Sequence, residues 1–209
     1  GLSKKGKDVI YANELCTRNK SEIIEEAESM DATGTGITGG DPLINTERTV
    51  DAIRMLKEHF GKEHHIHLYT STMDMEKISA VVEAGLDEIR FHPPLKLWNH
   101  MEDTPLAEIV RNLTIDVGIE MPALPDHRDE LDALISFAES IGIDFVNLNE
   151  LEFSESNWDM MEKYGYEVLD DISSAVLGSR ETAEKVLEAC NTCNVHFCSS
   201  PFKDGVQLR

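Results

Sequence analysis

Four consecutive residues, Gly39-Gly40-Asp41-Pro42, combine a bared backbone with a carboxylate. Two glycines without Cβ atoms let a ligand come close against backbone N–H and C=O groups. Pro42 cannot continue a strand ladder and fixes the exit. Asp41 offers an acceptor for an ammonium group. The run comes after Thr35-Gly36-Ile37-Thr38, which reads as a buried strand, and precedes a helix start at Asn45-Thr46-Glu47. It therefore reads as a ligand-binding strand end rather than a plain turn.

Other residues invite chemistry less directly. Arg90 and His92 share a face at a strand end beside Pro93. That pattern suits a carboxylate or phosphate, or an ion pair with one of the chain's many acids. His65 and His67 share one strand face, with His64 beside them. Packed or edge histidines are expected there, with no metal site. Cys190-x-x-Cys193, with Cys198 and His196, lacks the second cysteine pair of a structural zinc site. Packing is expected instead, with Cys190 on a helix's buried face and Cys198 in a core strand. Glu150 and Glu152 have the chemistry of an acid or base, but in so acidic a chain solvated carboxylates are expected. Trp98 and Trp158 fall in stretches that read as irregular, lining a substrate mouth or covering the core.

The elements that must position these residues alternate. Helices are expected over Ser21–Met30, Thr46–Phe60, Asp74–Ala84, Leu106–Leu113, Arg128–Ser140 and Glu181–Ala189. Their apolar residues recur at helical spacing, Ser21 reads as an N-cap, and Gly61, Gly85 and Gly142 close three of them. Strands are expected at the Gly36 run, His65–Thr70, Glu88–Phe91, Asp116–Met121, Asp144–Leu148 and Val195–Cys198. Alternation with short loops argues for right-handed βαβ units and a parallel sheet. Pro42, Pro93, Pro122, Thr70-Ser71 and Asn147 to Asn149 gather at strand carboxyl ends, the rim that holds the site in such folds. Roughly six or seven strands suit an incomplete barrel better than an eightfold one.

The chain has 209 residues, enough for one domain over residues 1–209 with a sizeable core. Forty acids against 19 bases give a formal net charge of -21, which argues against nucleic acid or anionic lipid as a partner. Four cysteines are too few for a disulfide scaffold. Without a membrane span or signal peptide in view, a cytoplasmic protein is expected.

Thr35 to Leu43 resembles the second strand and GGEP motif of the radical S-adenosylmethionine (SAM) superfamily, with aspartate in place of glutamate. The spacing onward to His67–Ser71, Glu88–Pro93 and Val117–Glu120 is similar to that superfamily's partial (β/α) barrel, from about Ser21 to Cys198. The resemblance implies an α/β partial barrel of roughly six parallel strands that lacks its first strand. It implies SAM as cofactor and a [4Fe-4S] cluster that donates one electron to it. The resulting 5′-deoxyadenosyl radical would take a hydrogen atom from a substrate, with ferredoxin or flavodoxin as electron donor. By position, Gly39, Gly40, Asp41 and Pro42 would hold the methionyl amino group. Tyr69, Thr70 and Ser71 would lie near its carboxylate. Glu120, Asn147 and Asn149 would face the ribose and adenine, and Arg90 and His92 the substrate.

The chain departs from the family pattern in one respect. The family holds its cluster by CxxxCxxC, and here Cys16 stands alone. The basic run Gly1 to Lys7 is similar to the family's segment after the third cysteine, so the cluster loop is expected upstream of Gly1. The cluster is expected only if that segment exists. A homologue that has lost the cluster is the other reading. As given, the chain is expected to be inactive in radical chemistry. Two other functions stand beside this one: a cluster-free barrel lyase or isomerase with Glu120 and Glu150 as acid and base, and a non-catalytic binding barrel.

Overall fold

The computed structural model describes residues 9–13, 15–170, 173–190 and 194–200. Cys193 and the basic run Gly1 to Lys7 lie outside the described residues. The elements in chain order are β1 (Ile10–Ala12), β2 (Leu15–Thr17), α1 (Lys20–Ser29), β3 (Gly34–Ile37), α2 (Thr46–Phe60), β4 (His65–Thr70), α3 (Met75–Glu83) and β5 (Glu88–Phe91). They continue with α4 (Leu106–Asn112), β6 (Asp116–Ala123), α5 (Arg128–Ile141), β7 (Phe145–Glu150), α6 (Trp158–Lys163), α7 (Ser179–Ala189) and β8 (Val195–Cys198). Short 3-10 segments cover Pro42–Asn45 and Leu95–Asp103. This is an α/β fold with a six-stranded sheet, β3 to β8, in chain order. No helix among the described residues is long and apolar enough to cross a membrane.

Two compact units make up the chain. The first comprises Gly1–Arg90 with Thr114–Asp116. Here β1 and β2 form an antiparallel hairpin and β3 pairs in parallel with β4, Gly34 opposite His65. Residues of β4 alternate strictly: Ile66, Leu68 and Thr70 are buried, while His65, His67 and Tyr69 are not. Ile66 and Leu68 share a core with Leu43, Ile53, Leu56, Ile78, Val81 and Ile89. A side chain closes the turn into β5. Asp87 accepts from the Ile66 N–H at 2.7 Å and from Lys57 Nζ at 2.6 Å. Lys57 also caps the carbonyls of Lys62 and His64.

The second unit comprises Phe91–Leu113 and Val117–Arg209. In it β6, β7 and β8 run parallel, Gly118 opposite Phe145 and Val146 opposite Val195. The junction before β7 repeats the one before β5. Gly142 closes α5 in the left-handed conformation, and Asp144 then accepts from the Val117 N–H at 2.8 Å. Trp98 is buried and donates its indole N–H to the Pro93 carbonyl. The crossover from β7 to β8 carries a small core of its own, Phe153, Met161 and Val176.

Several expectations are corrected. Asn19, not Ser21, caps α1, accepting from the Glu22 N–H. β6 does not stop before Pro122. Proline's extended φ fits the strand at the loss of one donor, and Pro122 still stands opposite Asn149. β7 likewise runs on to Glu150, so Asn149 lies inside the strand. The two tryptophans are in regular structure: Trp98 in the second 3-10 segment, Trp158 at the start of α6.

Gly34 tests the close approach of β3 to β4. A Cβ there would stand 2.6 Å from the His65 carbonyl oxygen, a backbone atom that cannot swing aside. Gly34→Ala is expected to cost about 1–3 kcal/mol in urea denaturation.

Candidate functional site

The Gly39–Pro42 loop leaves β3 with both glycines exposed and both at positive φ, 94° and 57°. Only glycine adopts the first of these without strain. A Cβ at Gly39 would meet nothing within 4 Å, so the backbone faces open space there. Pro42 then opens a 3-10 turn capped by Asp41.

Asp41 is the knot of this loop. Its Oδ1 accepts from the Leu43 N–H at 3.0 Å and the Thr70 hydroxyl at 2.6 Å. Its Oδ2 accepts from the Ser71 N–H and hydroxyl, both at 3.0 Å, and from the Thr72 hydroxyl at 2.9 Å. These donors occupy the lone-pair directions of the carboxylate. An arriving ammonium would have to take the place of a hydroxyl, which can rotate away. Burial raises the Asp41 pKa, but the hydrogen bonds from Thr70, Leu43, Thr72 and Ser71 outweigh it and hold the pKa below the ordinary 3.8.

The structure thus joins Gly39, Gly40, Asp41, Thr70 and Ser71 in one patch. Thr72 belongs to it and was not singled out from the sequence; its place directly after Thr70-Ser71 was the available signal. Tyr69 faces the other way. Its hydroxyl meets His67 Nε2 at 3.3 Å and accepts from Arg90 Nη1 at 2.9 Å. Arg90 also pairs with Glu88 through Nε. His92 is exposed. In the second unit Glu120 gathers the two asparagines, Asn149 at 2.9 Å and Asn147 at 3.5 Å.

Three further expectations change. Glu150 is not solvated: it is 2% exposed, receives a two-pronged Arg180 pair at 3.2 Å and accepts from the Ser200 N–H. Cys190 caps the end of α7 half-buried, its thiol 3.2 Å from Glu139 Oε1. His65 and His67 do have an acid beside them, because Glu88 comes from the neighbouring strand.

The residues fit the two implied cofactors unequally. The open glycine backbone and the hydroxyls of Thr70 to Thr72 suit the amino-acid end of SAM. The described cysteines, Cys16, Cys190 and Cys198, are thiols outside any disulfide. Among the described residues the one group of three side chains whose ligand atoms lie close enough to hold a metal ion is His65, His67 and Glu88. No set of three thiolates for a [4Fe-4S] cluster is therefore present among them.

Asp41 also sets a pH dependence. Its folded pKa is depressed, so its stabilisation is fully present above the unfolded value of 3.8 and is lost as pH falls through the lower folded value. Asp41→Asn should be less stable than the parent at pH 5. The gap should close as pH falls below about 3.8, tracked by denaturant midpoints of both proteins.

Residues 2–92 match a family model described as a 4Fe-4S single cluster domain. Over 216 aligned residues the chain is 42% identical to a Methanocaldococcus jannaschii protein named "Putative glycyl-radical enzyme activating enzyme". The alignment covers 99% of this chain and 57% of that protein, so the chain spans a little over half of its curated relative. The crystal structure of 3-dehydroquinate dehydratase from Geobacillus kaustophilus superposes with a TM-score of 0.51, covering 91% of this chain and 78% of that one. At 9% identity this likeness shows the fold alone. The family model is named for a 4Fe-4S cluster and the relative for the activation of a glycyl-radical enzyme, and both agree with the superfamily that the sequence resembles.

Proposed function

We propose that this chain carries the SAM-binding region of a radical SAM enzyme that activates a glycyl-radical enzyme. The observation that carries the reading is the exposed Gly39–Gly40 loop locked through Asp41 to Thr70, Ser71 and Thr72. The name of the relative supports the partner class.

In this reading the Gly39 and Gly40 carbonyls accept from the methionyl ammonium. Asp41 supplies the opposite charge as the Ser71 or Thr72 hydroxyl rotates away. The freed hydroxyl and the Thr70 to Thr72 backbone lie ready for the methionyl carboxylate. In the second unit Glu120, which accepts from Asn147 and Asn149, has with them the carboxylate and amide groups that suit ribose hydroxyls and an adenine. Bound SAM and a [4Fe-4S] cluster would supply the one-electron cleavage of SAM and the removal of a hydrogen atom from a glycine of the partner enzyme. This chain's own residues bind and orient. The electron donor is a ferredoxin or flavodoxin.

The lyase or isomerase reading loses one of its two carboxylates. Glu150 is buried and clamped by Arg180, out of reach of a substrate.

Anaerobic incubation of the full-length protein with SAM and a reductant tests the proposal. The expected outcome is 5′-deoxyadenosine, reduced at least about tenfold in Asp41→Ala, the size of one lost hydrogen bond to a charged group. Failure of the full-length protein to bind SAM, or turnover in air without iron, would overturn it.

A further inference from the structure

On the face of β4 turned away from its core, His65 and His67 stand one above the other, and Glu88 approaches from the start of β5. One ligand atom from each lies within 4.8 Å of the other two. We propose that His65, His67 and Glu88 form a three-ligand site for a divalent transition metal, zinc in the first instance, with water in the fourth position.

The geometry needs little adjustment. Ligand atoms around a tetrahedral zinc, each at about 2.0–2.1 Å from it, lie roughly 3.4 Å apart. His65 Nε2 already stands 3.5 Å from Glu88 Oε2. The imidazole centroids are 5.8 Å apart. All three residues sit on strands, so their backbones are fixed before any metal arrives. Space is made for the His67 ring by Gly36 on β3, where a Cβ would come within 2.6 Å of His67 Nε2.

The electrostatics point the same way. The Glu88 side chain is 11% exposed, and a carboxylate so far from water needs cationic partners. Arg90 engages its Oε1, while Oε2 faces His65. The Tyr69 hydroxyl, itself held by Arg90, lies 3.3 Å from His67 Nε2 and so steadies the ring for a metal at Nδ1. Such outer contacts are the usual support of metal-ligating histidines and carboxylates. Two imidazoles and one carboxylate favour zinc, cobalt or nickel over magnesium or calcium. The His65 side chain is 46% exposed and leaves a way in. The site is distinct from the Asp41 patch: His65 opens β4 and Thr70 closes it, roughly 16 Å away along the strand.

The test is calorimetric titration of the anaerobically purified full-length protein with zinc chloride alone. It is run on the parent and on a form whose Cys190, Cys193 and Cys198 are replaced by serine. One equivalent should bind in both. His67→Ala and Glu88→Gln should weaken binding at least about 100-fold, and Tyr69→Phe about tenfold. His65 is about half exposed, so His65→Ala guards against a folding defect in the other two and should also lose affinity. Cobalt(II) bound to the parent should show no thiolate charge-transfer band. Zinc uptake abolished by the serine substitutions, a thiolate band with cobalt, no uptake at all, or unchanged affinity in His65→Ala and His67→Ala would each overturn the proposal.

Discussion

The period of two along β4 is the constraint on which the rest of the first unit depends. Ile66 and Leu68 go to the core beneath α2 and α3, and their burial fixes the register of the strand. Because that register is fixed, His65, His67 and Tyr69 must occupy the opposite face. A slip of one residue would put imidazoles among Ile53, Leu56 and Val81, at a cost no local contact could offset. The core therefore determines which polar groups meet across the sheet, where Glu88 and Arg90, two residues apart on β5, pair with each other.

Thr70 stands at the point where the two roles of β4 meet. It is 2% exposed, on the core side, yet its hydroxyl reaches Asp41. A buried hydroxyl requires a partner, and Asp41 requires donors once it leaves water. Each satisfies the other, and the β3 loop is thereby tied to the end of β4. The two glycines before Asp41 supply a backbone conformation that other residues resist. Rigid attachment and an open backbone are both needed by a loop that grips a ligand through main-chain atoms.

Much of this was legible in the sequence. Thr46–Phe60, His65–Thr70, Glu88–Phe91 and Val195–Cys198 have the bounds their periodicity and caps indicate. The placing of Gly39–Asp41 and of Thr70 and Ser71 at strand carboxyl ends could also be read, whereas the hydrogen bonds from Thr70 and Ser71 to Asp41 could not. The features that escaped depended on partners far along the chain. Glu150 reads as a surface acid until Arg180 and Ser200 arrive 30 and 50 residues later. His65 and His67 gain the carboxylate of Glu88 only when the sheet brings β5 beside β4. The hairpin β1–β2 and the 3-10 segment around Trp98 are short, and weak periodicity leaves such pieces unannounced.

The crossover after β7 has a consequence for how the protein can vary. Gly34 pairs with His65 and Gly118 with Phe145, each through a loop of similar length, whereas Val146 waits until Val195. Closing a loop nearly twice as long costs only about 0.5 kcal/mol more in chain entropy. Phe153, Met161 and Val176 cluster within that stretch. Insertions and deletions between homologues should therefore accumulate in this crossover, where lengthening the chain is thermodynamically cheap and leaves the registers of β6 and β7 untouched.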